Sequence, residues 1–238
     1  MPGGAYSALS GMQSRLAELD RIASDLANMS TAGYKTERTA TFAAERDFSV
    51  ALQSAVDVAI GGTRTDLRPG TIASTGRPLD AAIDGDGFFA IETSRGVRYT
   101  RSGNFTRRAD GVLATVDGEP VLGAENRRIP LGNGPLAIGT DGQIRVDDVP
   151  AGRIQLWTIE EEDLVRETGS RFRPAAGVKP VPSAATLVPS SLEQANVSIA
   201  DRMVTLTEVT RTFEALQKGI SVLMNDVDLR TITELSRR

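Results

Sequence analysis

The sequence predicts an α+β protein in which long N- and C-terminal helices form a coiled-coil-like pair beside a central antiparallel β domain. Three observations predict it. Apolar residues alternate by three and four at both ends of the chain, short β-prone runs fill the middle, and Asp-Gly pairs punctuate those runs. The 238 residues carry 27 Lys and Arg against 31 Asp and Glu, with no His and no Cys. Imidazole bases, imidazole metal ligands, thiolates and disulfides are therefore excluded. A hydrophobic share of 40% can build a core, and an aromatic share of 5% makes that core shallow or distributed. The net charge of -4 lacks the clustered basic footprint that nucleic-acid binding requires. The pairs Arg107-Arg108, Arg127-Arg128 and Arg237-Arg238 are isolated and read as solvated turns or tail. The longest weakly polar stretch, residues 50–60, holds Gln53, Ser54 and Asp57, so the chain is expected not to span a membrane.

From Leu9, the positions Leu9, Met12, Leu16, Leu19, Ala23 and Leu26 follow the spacing of a narrow coiled-coil seam. Gln13, Arg15, Glu18, Asp20, Arg21 and Asp25 fill the gaps, so one apolar partner suffices. Asn28, Ser30 and Thr31 weaken the last turn, and Gly33 can supply the left-handed residue at a helix end; the helix is expected to stop near Gly33. Residues 1–36 are thus assigned to an axial helical domain and 37–79 to an extended connector. The β domain, 80–173, contains runs at 88–91, 97–100, 112–116, 137–138, 143–146 and 153–157. Asp84-Gly85, Asp86-Gly87, Asp110-Gly111, Asp117-Gly118 and Asp141-Gly142 are expected to turn on a glycine of positive φ. Pro174, Pro180, Pro182 and Pro189 mark a return connector, 174–195.

In the last segment, 196–238, Leu206, Val209, Phe213, Leu216, Ile220, Leu223 and Val227 repeat the three-four alternation. Ser198 with Asp201 resembles an N-terminal cap, which predicts a helix from Ser198 to Leu235, ~55 Å long at ~1.5 Å per residue. Burying each seam side chain is worth ~1.5–3 kcal/mol, so the two seams are expected to pack on each other and the uncovered surface on neighbouring subunits.

The run Ala27-Asn28-Met29-Ser30-Thr31-Ala32-Gly33-Tyr34-Lys35 resembles the Asn-x-x-Thr-x-Gly-Tyr-Lys motif of the bacterial flagellar rod and hook proteins. Three further stretches are similar to that family in the same order. They are residues 75–89, Tyr99-Thr100-Arg101-Ser102-Gly103-Asn104-Phe105 with the turns that follow it, and Leu192-Glu193-Gln194-Ala195-Asn196-Val197-Ser198. The run from Arg211 to Ser221 looks more like the proximal-rod than the distal-rod protein. The chain departs from the family at Ala32, where Pro is common, and in its Pro-Gly-Gly start.

The resemblance implies a structural subunit of the basal-body rod, with no catalytic residue, cofactor or metal. It implies helical assembly with copies of itself and other rod proteins inside the surrounding ring proteins, transmitting torque and lining the export channel. It also implies export to the periplasmic rod without a cleaved signal peptide, in keeping with Met1-Pro2-Gly3-Gly4, which lacks a basic and then apolar leader. The expected assembly residues are the two leucine-rich seams, with Asn28, Gly33, Tyr34 and Lys35 at the junction between layers. A distal-rod or hook-type subunit is the second reading.

Three unrelated readings remain open at this level. A carboxylate-dependent glycosidase would draw on Asp80, Asp84, Asp86, Asp141, Asp147 and Asp148, most of which adjoin Gly in turn-like contexts. Calcium binding at Asp84-Gly85-Asp86 would need a Glu where Arg95 stands. An oligomeric extracellular adhesion module would use Glu160-Glu161-Glu162-Asp163 against a basic partner, where a solvated acidic loop accounts for the same charges.

Overall fold

A computed structural model describes residues 2–39 and 63–235, with side-chain placement for 11–38 and 64–222. Residues 40–62 of the expected connector, and the side chains of Leu9, Leu223 and Val227, lie outside the described residues. The chain divides into two compact units: Met1–Ala27, Thr39–Thr63 and Ser198–Arg238 form one, Asn28–Arg38 and Arg64–Val197 the other.

The first unit contains α1 (Pro2–Ala27) and α2 (Ile199–Leu235). Ser198 opens α2, its Oγ accepting the Asp201 N–H at 3.4 Å. The hydroxyls of Thr205, Thr207, Thr210 and Thr212 each donate to the carbonyl four residues back at 2.7–3.0 Å, so these β-branched residues keep their polar atoms within the helix. The helices run antiparallel: Arg202 Nε lies 3.0 Å from Asp25 Oδ2, while a Cβ on Gly11 would stand 3.8 Å from Leu216 Cδ1.

The expected coiled-coil-like pair is not what these helices form, although the α+β class holds. Ile22, outside the expected seam, is 2% exposed, whereas the seam residue Leu16 is 46% exposed and Ala23 is exposed. In α2, Val209 alone of the seam positions with described side chains is buried. An unsupercoiled α-helix drifts by ~20° per heptad from a 3.5-residue repeat, and in α1 the buried Ile22 and Asp25 lie off the three-four stripe, whereas in α2 the stripe Leu206, Val209, Phe213, Leu216 and Ile220 remains the less exposed face. The Asp25–Arg202 pair takes a place that a heptad would give to an apolar knob. α1 also ends at Ala27, six residues before Gly33. Asn28 starts a turn there, its carbonyl accepting the Thr31 N–H at 2.9 Å.

The second unit is built from short strands: β1 (Glu37–Thr39), β2 (Thr63–Thr65), β3 (Ile72–Ser74), β4 (Ala81–Asp84), β5 (Phe88–Thr93), β6 (Gly96–Thr100), β7 (Phe105–Arg107), β8 (Leu113–Thr115) and β9 (Val121–Leu122). They continue with β10 (Leu136–Ile138), β11 (Gln143–Val146), β12 (Val149–Arg153), β13 (Leu156–Thr158), β14 (Leu164–Arg166), β15 (Arg171–Pro174), β16 (Val181–Pro182), β17 (Thr186–Pro189) and β18 (Ser191–Glu193). The largest sheet has the order β14-β15-β6-β5-β13-β16, with β9 also on β5. β5 is buried on both faces, which explains the unbroken run Phe88-Phe89-Ala90-Ile91. Phe89 and Ile91 join a core with Phe105, Leu113 and Ile144; Phe88 and Ala90 join another with Tyr99 and Phe172. Edge-to-face ring contacts, Phe89–Phe105 at 4.9 Å and Phe88–Phe172 at 5.6 Å, bind the layers.

Strands β3, β17 and β18 lie in stretches expected to be connectors. β18 pairs antiparallel with β3 and β17 with β4, partners more than one hundred residues away that no local pattern announces. Four of the five Asp-Gly turns have the expected positive φ on glycine. Gly87 does not; it is needed for space, since a Cβ there would press on Ser183 Oγ at 3.1 Å. Asp147 and Asp148, with φ of 50° and 63°, turn the β11–β12 hairpin, a backbone role for residues the glycosidase reading would use.

Candidate functional site

Three chain segments cross inside the second unit: 33–36, 66–71 and 193–196. The Gly33 N–H donates to the Glu193 carbonyl at 2.8 Å, the Asn196 N–H to the Tyr34 carbonyl at 3.3 Å, and the Asp66 N–H to the Thr36 carbonyl at 2.8 Å. The Asn196 side chain completes the lacing. Its Oδ1 accepts the Thr36 N–H at 2.8 Å, and its Nδ2 donates to the carbonyls of Asp66 and Arg68 at 2.8 and 3.1 Å.

Gly33 is at φ +66°, and a Cβ there would overlap the Arg101 backbone. Glycine is demanded by close approach of two backbones, not by the end of the helix.

At the centre, Lys35, Arg101 and Glu193 are 0%, 4% and 1% exposed. Lys35 Nζ donates to Glu193 Oε1 at 2.5 Å and to the Arg68 carbonyl at 2.8 Å. Arg101 Nε donates to Glu193 Oε2 at 2.9 Å, and its Nη1 to the carbonyls of Gly85 and Gly87 at 2.9 and 2.7 Å. The Gly70 N–H adds a third donor to the carboxylate at 3.0 Å. Burial pushes the Lys35 ammonium below its ordinary value, with Glu193 opposing. Burial acts to raise Glu193, but Arg101 and Lys35 outweigh it and hold the carboxyl below the usual range. Above this cluster the Arg166 guanidinium stacks 4.6 Å from the Tyr34 ring centroid and donates to the Lys35 carbonyl.

A carboxyl whose folded pKa is depressed stabilises the fold above its unfolded value and ceases to do so as pH falls through the folded value. The contribution of Glu193 to the unfolding free energy of the second unit is therefore expected to be constant from pH 8 to 6 and to be lost below about pH 4.3, the ordinary Glu value, at up to about 1.4 kcal/mol per pH unit. Urea titrations of wild type and Glu193→Gln across that range measure the difference. An identical acid slope in both proteins would remove Glu193 as its source.

Of the residues expected to carry assembly, Gly33, Tyr34 and Lys35 come together in this crossing, and Asn28 is partly buried in the turn ahead of it. Met12, Leu19 and Leu26 of α1 and Leu206, Phe213, Leu216 and Ile220 of α2 are partly buried in the other unit, where Val209 is 4% and Leu16 46% exposed. Ile22 and Arg202 carry no expectation from the sequence, and Asp25, expected on the polar side of α1, is 2% exposed. Arg101, Glu193 and Asn196 stood within the family-like runs with no role attached. The available signal was two charges inside otherwise uncharged β-flanking stretches, whose partnership only the fold reveals. The cluster gives each cation to Glu193 and to carbonyls, an arrangement suited to holding segments together. Among the described residues no group of three or more Asp or Glu could hold a metal ion, and no helix is long and apolar enough to cross a membrane.

Three family models match the chain: "Flagella basal body rod protein" over residues 6–35, "Flagellar hook protein FlgE/F/G D1 domain" over 82–146 and "Flagellar basal body rod FlgEFG protein C-terminal" over 188–223. The chain is 32% identical to the flagellar basal-body rod protein FlgG of Bacillus subtilis, over 98% of both chains. It is 35% identical to the rod protein FlgF of Mesorhizobium japonicum, over 90% of both. With FlgF of Salmonella typhimurium it shares 30%, covering 93% of this chain and 94% of that one.

Proposed function

The chain belongs to the flagellar basal-body rod protein family, and on that premise we propose that it is a proximal-rod subunit, assembling through its helical unit with copies of itself and with other rod proteins. It is a structural component of the flagellar rod. The observation that supports assembly through the helices is the apolar surface they leave in water: Leu16, Ile199, Met203, Val204 and Val222 are each at least 46% exposed. A helical array covers such a surface by repetition, and many parallel contacts share the torque that a drive shaft carries. The chain's place is the flagellar basal body. Relatives named FlgF and FlgG match at similar identity, so the proximal assignment rests on the run Arg211–Ser221.

A deletion strain is expected to grow normally, to lack motility and filaments, and to recover both with the wild-type gene. Met203→Asp, at a position 56% exposed in the single chain, is expected to be produced and exported but to restore neither. Full motility with Met203→Asp would sink assembly through this face. Electron images of the basal bodies left in the deletion strain separate proximal from distal placement: a proximal subunit leaves no rod beyond its own level, a distal one leaves the inner rod intact.

A further inference from the structure

Glu193 is the shared counterion of two cations from distant parts of the chain. Arg101 belongs to the β body and is preset there by the carbonyls of Gly85 and Gly87. Lys35 arrives on the N-terminal arm, 158 positions from Glu193. The backbone repeats the dependence, because Gly33 donates to Glu193, Asn196 donates to Tyr34, and Thr36 donates to the Asn196 side chain. Docking of residues 33–36 before Glu193 is in place would bury an ammonium in a site already holding a guanidinium, with no carboxylate between them. Burying uncompensated charge costs more than the few hydrogen bonds there can return. The body has no such requirement, since Phe89, Phe105, Leu113 and Ile144 form its core from residues between the two arms.

We propose that Lys35, Glu193 and Arg101 form a conditional clasp: the β body forms first, and the Gly33–Thr36 arm locks onto it only in the same step as the Glu193–Asn196 arm. Arg101 waits, Glu193 docks on it, and the resulting pair makes a place for Lys35. A chain leaving the ribosome from its N-terminus thus keeps residues 33–36 unlocked until its last strand has arrived. Contacts of such high sequence separation carry the largest closure cost and come late on general grounds. The charge arrangement makes the lateness obligatory, and makes the two arms lock together.

Pulsed hydrogen exchange during refolding of the full chain from urea tests the order. The Leu113 amide, bonded to the Ile129 carbonyl at 2.9 Å, reports the body; the Gly33 and Asn196 amides report the arms. Leu113 is expected to be protected first, and Gly33 and Asn196 later with one shared rate constant. Protection of Gly33 together with Leu113, or ahead of Asn196, would overturn the clasp. At equilibrium, Glu193→Gln is expected to speed exchange at Gly33 and Asn196 by about 100-fold while leaving Leu113 unchanged. Adding Lys35→Met, which removes one stranded cation, is expected to restore most of that protection. Three outcomes count against the proposal: unchanged arms in the single variant, a double variant no better protected than the single, or loss of Leu113 protection along with the arms.

Discussion

Gly103→Ala is expected to cost the second unit roughly 3 kcal/mol or more, far beyond the usual effect of one added methyl. The backbone of Gly103 lies directly against the chain at Ala81. Its carbonyl accepts the Ala81 N–H at 3.0 Å, and a Cβ would overlap the Ala81 carbonyl while pressing on the Phe89 ring at 3.1 Å. Neither neighbour can retreat, because Ala81 and Phe89 are 1% and 0% exposed and Phe89 packs on Phe105. Gly118→Ala supplies the comparison. Gly118 has φ +83° but nothing within 4 Å of a Cβ, so its cost is confined to the left-handed backbone, about 1–2 kcal/mol. Urea unfolding followed by the fluorescence of Trp157, the single tryptophan, measures both. A Gly103→Ala protein no less stable than Gly118→Ala would refute the packing described around Ala81.

Ile22→Asp is expected to separate α1 from α2 in the isolated protein, whereas Leu16→Asp is expected to leave the pair intact. Ile22 is 2% exposed, so the new carboxylate would be buried near Asp25, itself 2% exposed. A buried, unpaired charge of the same sign as a neighbour costs several kcal/mol, comparable to everything a two-helix contact supplies. Leu16 is 46% exposed, and an aspartate there stays hydrated. Helix content by circular dichroism and proteolysis of the ends should therefore fall sharply for Ile22→Asp and by little for Leu16→Asp. A regular heptad seam makes the opposite prediction, with Leu16 a knob and Ile22 peripheral. Equal losses in the two variants would favour that geometry over the one described.

The two helices were legible because each carries its own signal. Ser198 caps α2 at the expected residue, and the apolar alternation marks both segments as one-sided. The face was legible only approximately, since spacings of three and four fit both a 3.5- and a 3.6-residue repeat and differ by the rotation that brings Ile22 in and Leu16 out. The β domain was legible at Phe88–Ile91 and at the Asp-Gly turns. It was not legible at Ile72–Ser74, Thr186–Pro189 and Ser191–Glu193, which become strands by pairing with distant partners. Gly33-Tyr34-Lys35 stood out as a motif, yet its natural local explanation, a helix stop, is wrong for the glycine and silent on the lysine.

Composition and period alone determined that this chain has helical ends, a turn-rich β middle and neither thiol nor imidazole chemistry. Those properties depend on each residue and its near neighbours. Tertiary structure decided that a lysine near the start, an arginine in the body and a glutamate near the end share one buried site. A charged side chain is indifferent to its partner's position in sequence. It is settled only by the requirement that charge removed from water be balanced within a few ångströms, and folding alone brings those positions together.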